Sequence, residues 1–155
     1  MFLFYVYFNL FLLNCIFQIV HKSSEKCLER PLSSGGVSQH AGKLQLVPCI
    51  KKWFEAHLWV ATWNGTQRDG RTYPGYLMSD ESMCVDHLDG EARAMACSGL
   101  SKQLWYHNMK SNAIVHGNTG LCLSVSRPPE PPGISVHTCD GSSEQQWILQ
   151  SESWS

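Results

Sequence analysis

One pattern of apolar and polar positions occurs three times along this chain. Each copy has an apolar pair, a Cys followed by an apolar residue, a second Cys, and a Gln-x-Trp in which His replaces Gln once. The copies contain Ile19, Val20, Cys27, Leu28, Cys49, His57 and Trp59; Tyr76, Leu77, Cys84, Val85, Cys97, Gln103 and Trp105; and Ile114, Val115, Cys122, Leu123, Cys139, Gln145 and Trp147. Successive Trp residues of the pattern lie 46 and 42 positions apart. A period of that length indicates one repeated supersecondary unit, and three copies favour a closed threefold object over a solenoid.

Short alternating segments inside the copies predict β-strands. Leu44 and Leu46 alternate with polar residues, as half-buried strand positions do. Clusters of Gly, Ser and Pro at 33–36 and 127–133 predict turns and loops between the strands. Because no segment sustains a 3.6-residue period, the sequence predicts an all-β domain.

These copies resemble a known family. Three Cys-Leu (or Cys-Val)…Cys…Gln-x-Trp repeats are similar to the ricin B-type lectin domain, a β-trefoil, over roughly residues 17–150. The stretches QLWYH at 103–107 and CDGSSEQQW at 139–147 resemble the C-terminal lectin domain of polypeptide N-acetylgalactosaminyltransferases. The resemblance implies a β-trefoil of three repeats, in which the repeated Trp lies in the core and the Gln ties backbone segments together.

The seven cysteines indicate an oxidising compartment, because cytosolic thiols are kept reduced. Six of them fall in the repeats, one pair per copy, which predicts the disulfides Cys27–Cys49, Cys84–Cys97 and Cys122–Cys139. Each bridge is expected to stabilise the fold by about 3 kcal/mol in the chain-entropy model. A zinc site would need short C-x₂-C clusters, and the sequence has none, so we expect neither a metal nor another cofactor in this domain.

The first sixteen residues, MFLFYVYFNLFLLNCI, form an apolar segment that we expect to lie outside the repeats. Ile19 and Val20 stand before Cys27 as Ile114 and Val115 stand before Cys122, so the first copy needs them as its opening strand. The remainder is short for a membrane span and lacks the basic start and small-x-small site of a signal peptide. Positive charge begins only at Lys22, the wrong side for a type II Golgi anchor. We therefore favour a truncated N-terminus over a signal-like leader for 1–16, followed by the lectin domain at 17–150.

The resemblance also implies which positions contact a sugar. In the family, an Asp after Cys-Leu accepts bonds from sugar hydroxyls, an aromatic residue two before the second Cys stacks on the sugar, and an Asn before the Gln donates. A carboxylate makes strong charge-assisted hydrogen bonds, and an aromatic ring covers the apolar sugar face. The equivalent residues are Glu29, Val47 and Ala56 in the first copy; Asp86, Met95 and Lys102 in the middle copy; and Ser124, His137 and Glu144 in the third.

No copy keeps the full set, and the middle copy keeps the most. We expect any sugar to bind there, through Asp86, Met95, Lys102 and Gln103, with Lys102 either donating to a hydroxyl or pairing with Asp86. Glu29 and His137 are weaker candidates, because the acid of the first copy is longer and the third copy has a ring but lacks the acid.

Two functions follow from this comparison. One is a GalNAc- or galactose-type lectin module that serves as the accessory domain of a polypeptide GalNAc-transferase in mucin-type O-glycosylation, with GalNAc-bearing glycopeptides and a catalytic domain as partners. The other is a sugar-blind trefoil that acts as a structural or protein-interaction module. The Asp-x-His and Trp-Gly-Gly-Glu signatures of such transferases do not occur here, so any catalytic residues and any divalent metal would belong to an upstream domain.

The sequence also gives expectations for nucleic-acid binding, cellular location and glycosylation. A net charge of −1 with 16% charged residues gives no indication of a nucleic-acid partner. The cysteines and the resemblance predict the secretory pathway, in the Golgi lumen or at its membrane, or else secretion. Asn64 in Asn-Gly-Thr is then a glycosylation candidate.

Overall fold

The computed structural model of the chain describes residues 16–31, 42–50, 57–63, 73–79 and 83–151. Within these ranges the chain forms thirteen β-strands: β1 Ile16–His21, β2 Lys26–Glu29, β3 Gly42–Lys43, β4 Gln45–Pro48, β5 Trp59–Ala61, β6 Gly75–Met78, β7 Met83–Leu88, β8 Glu91–Ala96, β9 Leu104–Asn108, β10 Ala113–His116, β11 Cys122–Val125, β12 Ile134–His137 and β13 Trp147–Ser151. Residues 1–15 and Asn64 lie outside the described residues. Ile16 opens β1, one residue before the predicted start of the domain.

Each copy supplies four main strands, and the second and third of them form a hairpin. These hairpins are β2–β4, β7–β8 and β11–β12, all antiparallel. The short β3 is an addition to this scheme, since it pairs with β8 of the middle copy. The repeated Cys therefore marks the first strand of a hairpin in every copy.

The first and last strands of the copies form a ring. Ladders join β13 to β1, β1 to β5, β5 to β6, β6 to β9 and β9 to β10. The backbone N–H of Trp147 donates to the carbonyl of Asn112, next to β10, at 2.7 Å and closes the ring. The three hairpins extend from this ring, which is the threefold arrangement that the sequence predicted.

The repeated apolar positions fill one core inside the ring. Trp59, Trp105 and Trp147 have no exposed surface and pack with the apolar residue that follows the first Cys of each copy. Each indole N–H donates to the carbonyl of that same residue: to Leu28 at 3.0 Å, and to Val85 and Leu123 at 2.9 Å. The repeated Trp is therefore a core residue, as expected, and the prediction of an all-β β-trefoil is confirmed.

The three predicted disulfides, Cys27–Cys49, Cys84–Cys97 and Cys122–Cys139, are all formed. Each joins the first strand of a hairpin to the segment that leaves its second strand. In the described part of the chain, we find no helix with the length and hydrophobicity needed to cross a membrane.

Candidate functional site

The middle-copy hairpin sets the geometry of the candidate site. Its turn places Asp89 and Gly90 at φ values of 50° and 80°, the left-handed conformation that a tight type I′ hairpin requires and that Asp-Gly favours. This turn fixes a register in which Cys84 faces Met95 and Asp86 faces Arg93. Because side chains alternate along a strand, Asp86 and Met95 lie on the face opposite to the core residue Val85.

Asp86 is a buried carboxylate. Its side chain is only 2% exposed, and Oδ2 accepts a hydrogen bond from Gln103 Nε2 at 3.2 Å. Lys102 Nζ lies 3.4 Å from the same oxygen. The other oxygen, Oδ1, is buried and has no hydrogen-bond partner among the described residues, so Gln103 and Lys102 do not satisfy the carboxylate completely.

Gln103 links Asp86 to the backbone around Cys97. Its Nε2 also donates to the carbonyl of Ala96 at 2.9 Å, and its Oε1 accepts from the N–H of Ser98 at 2.8 Å. It therefore holds the residues on either side of Cys97, which confirms the structural role expected for this Gln. Since Gln103 is completely buried, its contribution to the candidate site is to orient Asp86.

Lys102 is the partly exposed partner of the acid. It lies in the 3₁₀ turn Ser101–Gln103, and its side chain is 43% exposed. The pairing with Asp86 that the sequence allowed is present, and it is half buried rather than exposed at both ends. The candidate site of the middle copy therefore has the ammonium of Lys102 and the amide of Gln103 at Asp86, with Met95 on the same face of the hairpin.

Two further side chains border this site. Met95 is exposed, so an apolar surface does stand at the position of the missing ring. Arg93 lies opposite Asp86 in the hairpin and pairs with Glu91 through Nε and a second, very short contact. This hydrogen bond holds the pKa of Glu91 below its usual range. Arg93 was not among the residues predicted from the sequence, although the Asp89-Gly90 turn and the alternation of strand side chains would have placed it opposite Asp86.

In the first copy, the equivalent acid is bonded to another buried side chain of the same copy. Glu29 Oε2 lies 3.0 Å from Nε2 of His57, the residue that replaces the repeated Gln, and both residues are buried. Glu29 thus contacts the residue at the Gln position of its own copy, as Asp86 contacts Gln103 in the middle copy. Glu29 lies in the hairpin β2–β4, whereas Asp86 lies in the hairpin β7–β8.

The third copy has an open pocket of about 370 Å³ at the equivalent position. Its lining includes Ser124 and the ring of His137, and Arg127 lies between the carboxylates of Glu144 at 2.7 Å and Asp140 at 3.7 Å. Hydrogen bonds lower the pKa of both acids: Asp140 is bonded first to Ser142, and Glu144 first to its own backbone N–H and then to Arg127. His137 is exposed. It lies in the hairpin β11–β12 of the third copy, whereas Asp86 lies in the hairpin β7–β8 of the middle copy.

Two buried histidines fasten the turns that carry the repeated Gln. His116 Nε2 lies 3.0 Å from the carbonyl of Lys102, and His21 Nε2 lies 2.9 Å from that of Ser143 in the third copy. Burial lowers the pKa of both rings, partly opposed by these same hydrogen bonds. In the sequence both residues directly follow the apolar pair of their copy, a position that gave no sign of what they contact.

The site offers hydrogen-bond acceptors and donors rather than a metal centre. In the part of the chain that the structure covers, no group of three His, Cys, Asp or Glu side chains is placed to hold a metal ion. A carboxylate beside an ammonium and an exposed apolar side chain can bind a neutral polyhydroxylated ligand through hydroxyl hydrogen bonds.

Comparison with known proteins agrees with the β-trefoil fold. The profile of a family described as the ricin-type beta-trefoil lectin domain matches residues 16–147. No curated protein matches the chain.

Several solved structures have the same fold. ThreeFoil, a designed threefold-symmetric protein, is 18% identical with a TM-score of 0.65, over 87% of this chain and 97% of its own. The C-half of an earthworm R-type lectin in complex with GalNAc is 16% identical with a TM-score of 0.65, over 89% and 99%. GalNAc-T7 with UDP, GalNAc and Mn²⁺ is 17% identical with a TM-score of 0.64, over 88% of this chain but only 22% of its own.

Proposed function

From the premise that this chain belongs to the ricin-type β-trefoil lectin domain family, we propose that its middle copy binds a GalNAc- or galactose-type sugar through Asp86. The observation that carries the proposal is the second oxygen of that buried carboxylate, Oδ1, to which no described residue donates a hydrogen bond. A buried acceptor without a partner is costly, and a ligand hydroxyl would satisfy it. The turn on one side and the Cys84–Cys97 bridge on the other hold the acid in place.

Lys102 has to move for a sugar to enter. Its ammonium lies against Asp86 Oδ2, and its side chain is exposed enough to turn into solvent or toward a ligand hydroxyl. Met95 then offers an apolar surface to the sugar face, without the attraction of a ring. With one small site and an ion pair to displace, we expect an affinity on the order of millimolar or weaker, roughly −4 kcal/mol.

We further propose that the module is the accessory lectin domain of a polypeptide GalNAc-transferase and works in the Golgi lumen, or else is secreted. The support is the resemblance of QLWYH and CDGSSEQQW to that family's lectin domain, and three disulfides that suit an oxidising compartment. GalNAc-bearing glycopeptides and a catalytic glycosyltransferase domain are the proposed partners. The chain spans about a fifth of GalNAc-T7, so transferase activity and its metal would lie in another part of such a protein.

Titration of a GalNAc-bearing glycopeptide, followed by NMR chemical shifts, tests the sugar site. Asp86→Asn removes the charge and keeps the shape, and Glu29→Gln makes the same change at the equivalent acid of the first copy. Since a hydrogen bond to a charged group contributes about 1.5–3 kcal/mol, we expect Asp86→Asn to weaken binding at least about tenfold and Glu29→Gln to leave it unchanged. Binding that survives Asp86→Asn would move the site to another copy. No shifts in the wild type well above millimolar sugar would favour the sugar-blind trefoil instead.

A further inference from the structure

The hairpin β7–β8 places a second cation beside Asp86. Arg93 is directly opposite Asp86 in the antiparallel ladder, and opposed residues project from the same face of a sheet with their Cβ atoms about 4.5–5.5 Å apart. The first cation is Lys102, whose Nζ lies 3.4 Å from Asp86 Oδ2. The buried carboxylate therefore has one cation on the turn Ser101–Gln103 and another on the facing strand, each with a side chain long enough to reach a ligand bound at Asp86.

The guanidinium of Arg93 is paired at the protein surface. Its Nε donates to Glu91 Oε2 at 2.7 Å, and its Nη2 donates to the same oxygen. The two side chains are 38% and 45% exposed, and an ion pair that is open to water contributes little to stability because water solvates both partners. Arg93 can therefore exchange Glu91 for an anionic group of a ligand at little cost.

Lys43 remains as a neighbouring cation for Glu91 after such an exchange. It is opposite Arg93 in the ladder between β3 and β8. The pKa of Glu91 is lowered first by the hydrogen bond from Arg93 and then by the charge of Arg93; burial opposes this, and the charge of Lys43 lowers it further. Glu91 is therefore not left without a positive charge nearby when Arg93 turns to a ligand.

The balance of charge differs between the middle and third copies. In the third-copy pocket, Arg127 lies 2.7 Å from Glu144 and 3.7 Å from Asp140, and Glu130 lines the same pocket. Three carboxylates around one guanidinium repel an anion. Around the middle-copy site the described cations match the described acids in number: Lys43, Arg93 and Lys102 against Asp86, Asp89 and Glu91. The middle copy is thus the better of the two for a ligand that carries a negative charge.

We infer that Arg93 is a specificity-determining residue of the middle-copy site, which selects a GalNAc- or galactose-type sugar with an anionic substituent, a carboxylate or a sulfate, over the neutral sugar. The inference rests on the proposed function, since it names the substrate class of that same site. A sugar hydroxyl would donate to Asp86 Oδ1, which is buried without a described donor. The anionic group would accept from the Arg93 guanidinium, whose planar fork of N–H groups fits two oxygens of one anion.

The test titrates three forms of one glycopeptide and follows NMR chemical shifts. The sugar is GalNAc, GalNAc with a sulfate ester, or GalNAc linked to sialic acid, which brings a carboxylate. We expect the wild type to bind at least one anionic form about tenfold tighter than the neutral form, because a hydrogen bond between charged groups is strong and the exposed pair with Glu91 costs little to break. The sulfate and sialic acid forms show which anion is selected. A wild type that prefers neither would overturn the inference.

Two variants show whether Arg93 causes the preference. Arg93→Gln keeps an N–H donor and removes the charge, so the affinities for the anionic and neutral forms should come within about twofold of each other. Arg127→Gln makes the same change at an Arg of the third copy that is also paired with acids, and it should keep the wild-type ratio. In the wild type, raising the salt from about 0.05 M to about 0.5 M should reduce the preference, since salt screens charges. A preference that survives Arg93→Gln, or that is lost in Arg127→Gln, would place the selecting cation elsewhere and contradict the inference.

The same titrations separate this inference from the proposed function. If the neutral form binds through Asp86 and the anionic forms bind no tighter, the sugar site stands and the selection by Arg93 fails. If Arg93→Gln removes the preference but Asp86→Asn weakens no form, the selection by Arg93 stands and the proposed contact with Asp86 fails. If no form binds, both fail.

Discussion

Replacing Trp147 by Phe isolates the contribution of the repeated indole. The side chain is fully buried in the core, and its N–H donates to the Leu123 carbonyl at 2.9 Å. Phe keeps an aromatic ring at this position but cannot donate, so the carbonyl loses its side-chain partner inside the protein.

The expected cost has two parts. A buried acceptor that loses its hydrogen bond costs about 1–3 kcal/mol. The smaller ring leaves a small cavity, which adds about 1 kcal/mol at ~24 cal/mol per Å³. We therefore expect the free energy of unfolding to fall by about 2–4 kcal/mol, a large part of the stability of a small domain.

Urea unfolding followed by far-ultraviolet circular dichroism measures this loss. Trp59→Phe and Trp105→Phe should give similar losses, because their indoles make equivalent bonds to Leu28 and Val85. Trp63→Phe is the matched control, since Trp63 packs against the core only in part, and it should cost less than about 1 kcal/mol. Losses below about 1 kcal/mol at all three repeat positions, with weakened sugar binding instead, would make these residues stacking platforms and refute their role in the core.

Two other predictions concern the bridges and the histidines. Replacing both cysteines of a bridge by Ala should cost about 2–5 kcal/mol in urea unfolding, with Cys27–Cys49 at the upper end because its separation of 22 residues is the longest; a bridge whose removal leaves the midpoint unchanged would contradict this. Stability should also fall as the pH drops below about 6.5, the ordinary histidine value, because burial lowers the pKa of His21, His107 and His116 in the fold. The unfolded chain then takes up these protons first, so the stability present above that pH is lost as the pH falls through the folded values. A urea midpoint that is constant between about pH 7 and pH 5 would contradict this prediction.

The sequence was sufficient for the features that repeat. The register of the repeated Cys residues indicated the bridges, and the family resemblance that the repeats carry implied the threefold fold and the central core of Trp residues. The resemblance also implied the role of Gln103, whereas the 3₁₀ turn Ser101–Gln103 was not predicted.

The features that differ between copies could not be predicted in this way. The bond between Glu29 and His57 replaces a Gln contact by a pair from two distant positions, and neither residue alone indicates it. The burial of the Asp86–Lys102 pair and the position of Arg93 depend on the hairpin register and on side-chain rotamers. The contact of His116 with Lys102 depends on how two copies meet in space, which no local spacing records.

The ladder between β1 and β13 brings the two ends of the domain side by side. Phe17 is paired with Ser151, and paired strands lie about 5 Å apart, so both ends leave the barrel at one place. Such a domain tolerates circular permutation. A permutant would join residue 151 to residue 16 through a short flexible linker and would begin at the Asp89–Gly90 turn. No strand has to move to make these changes. The domain can equally be inserted as a cassette into a surface loop of another protein without forcing the host's chain apart.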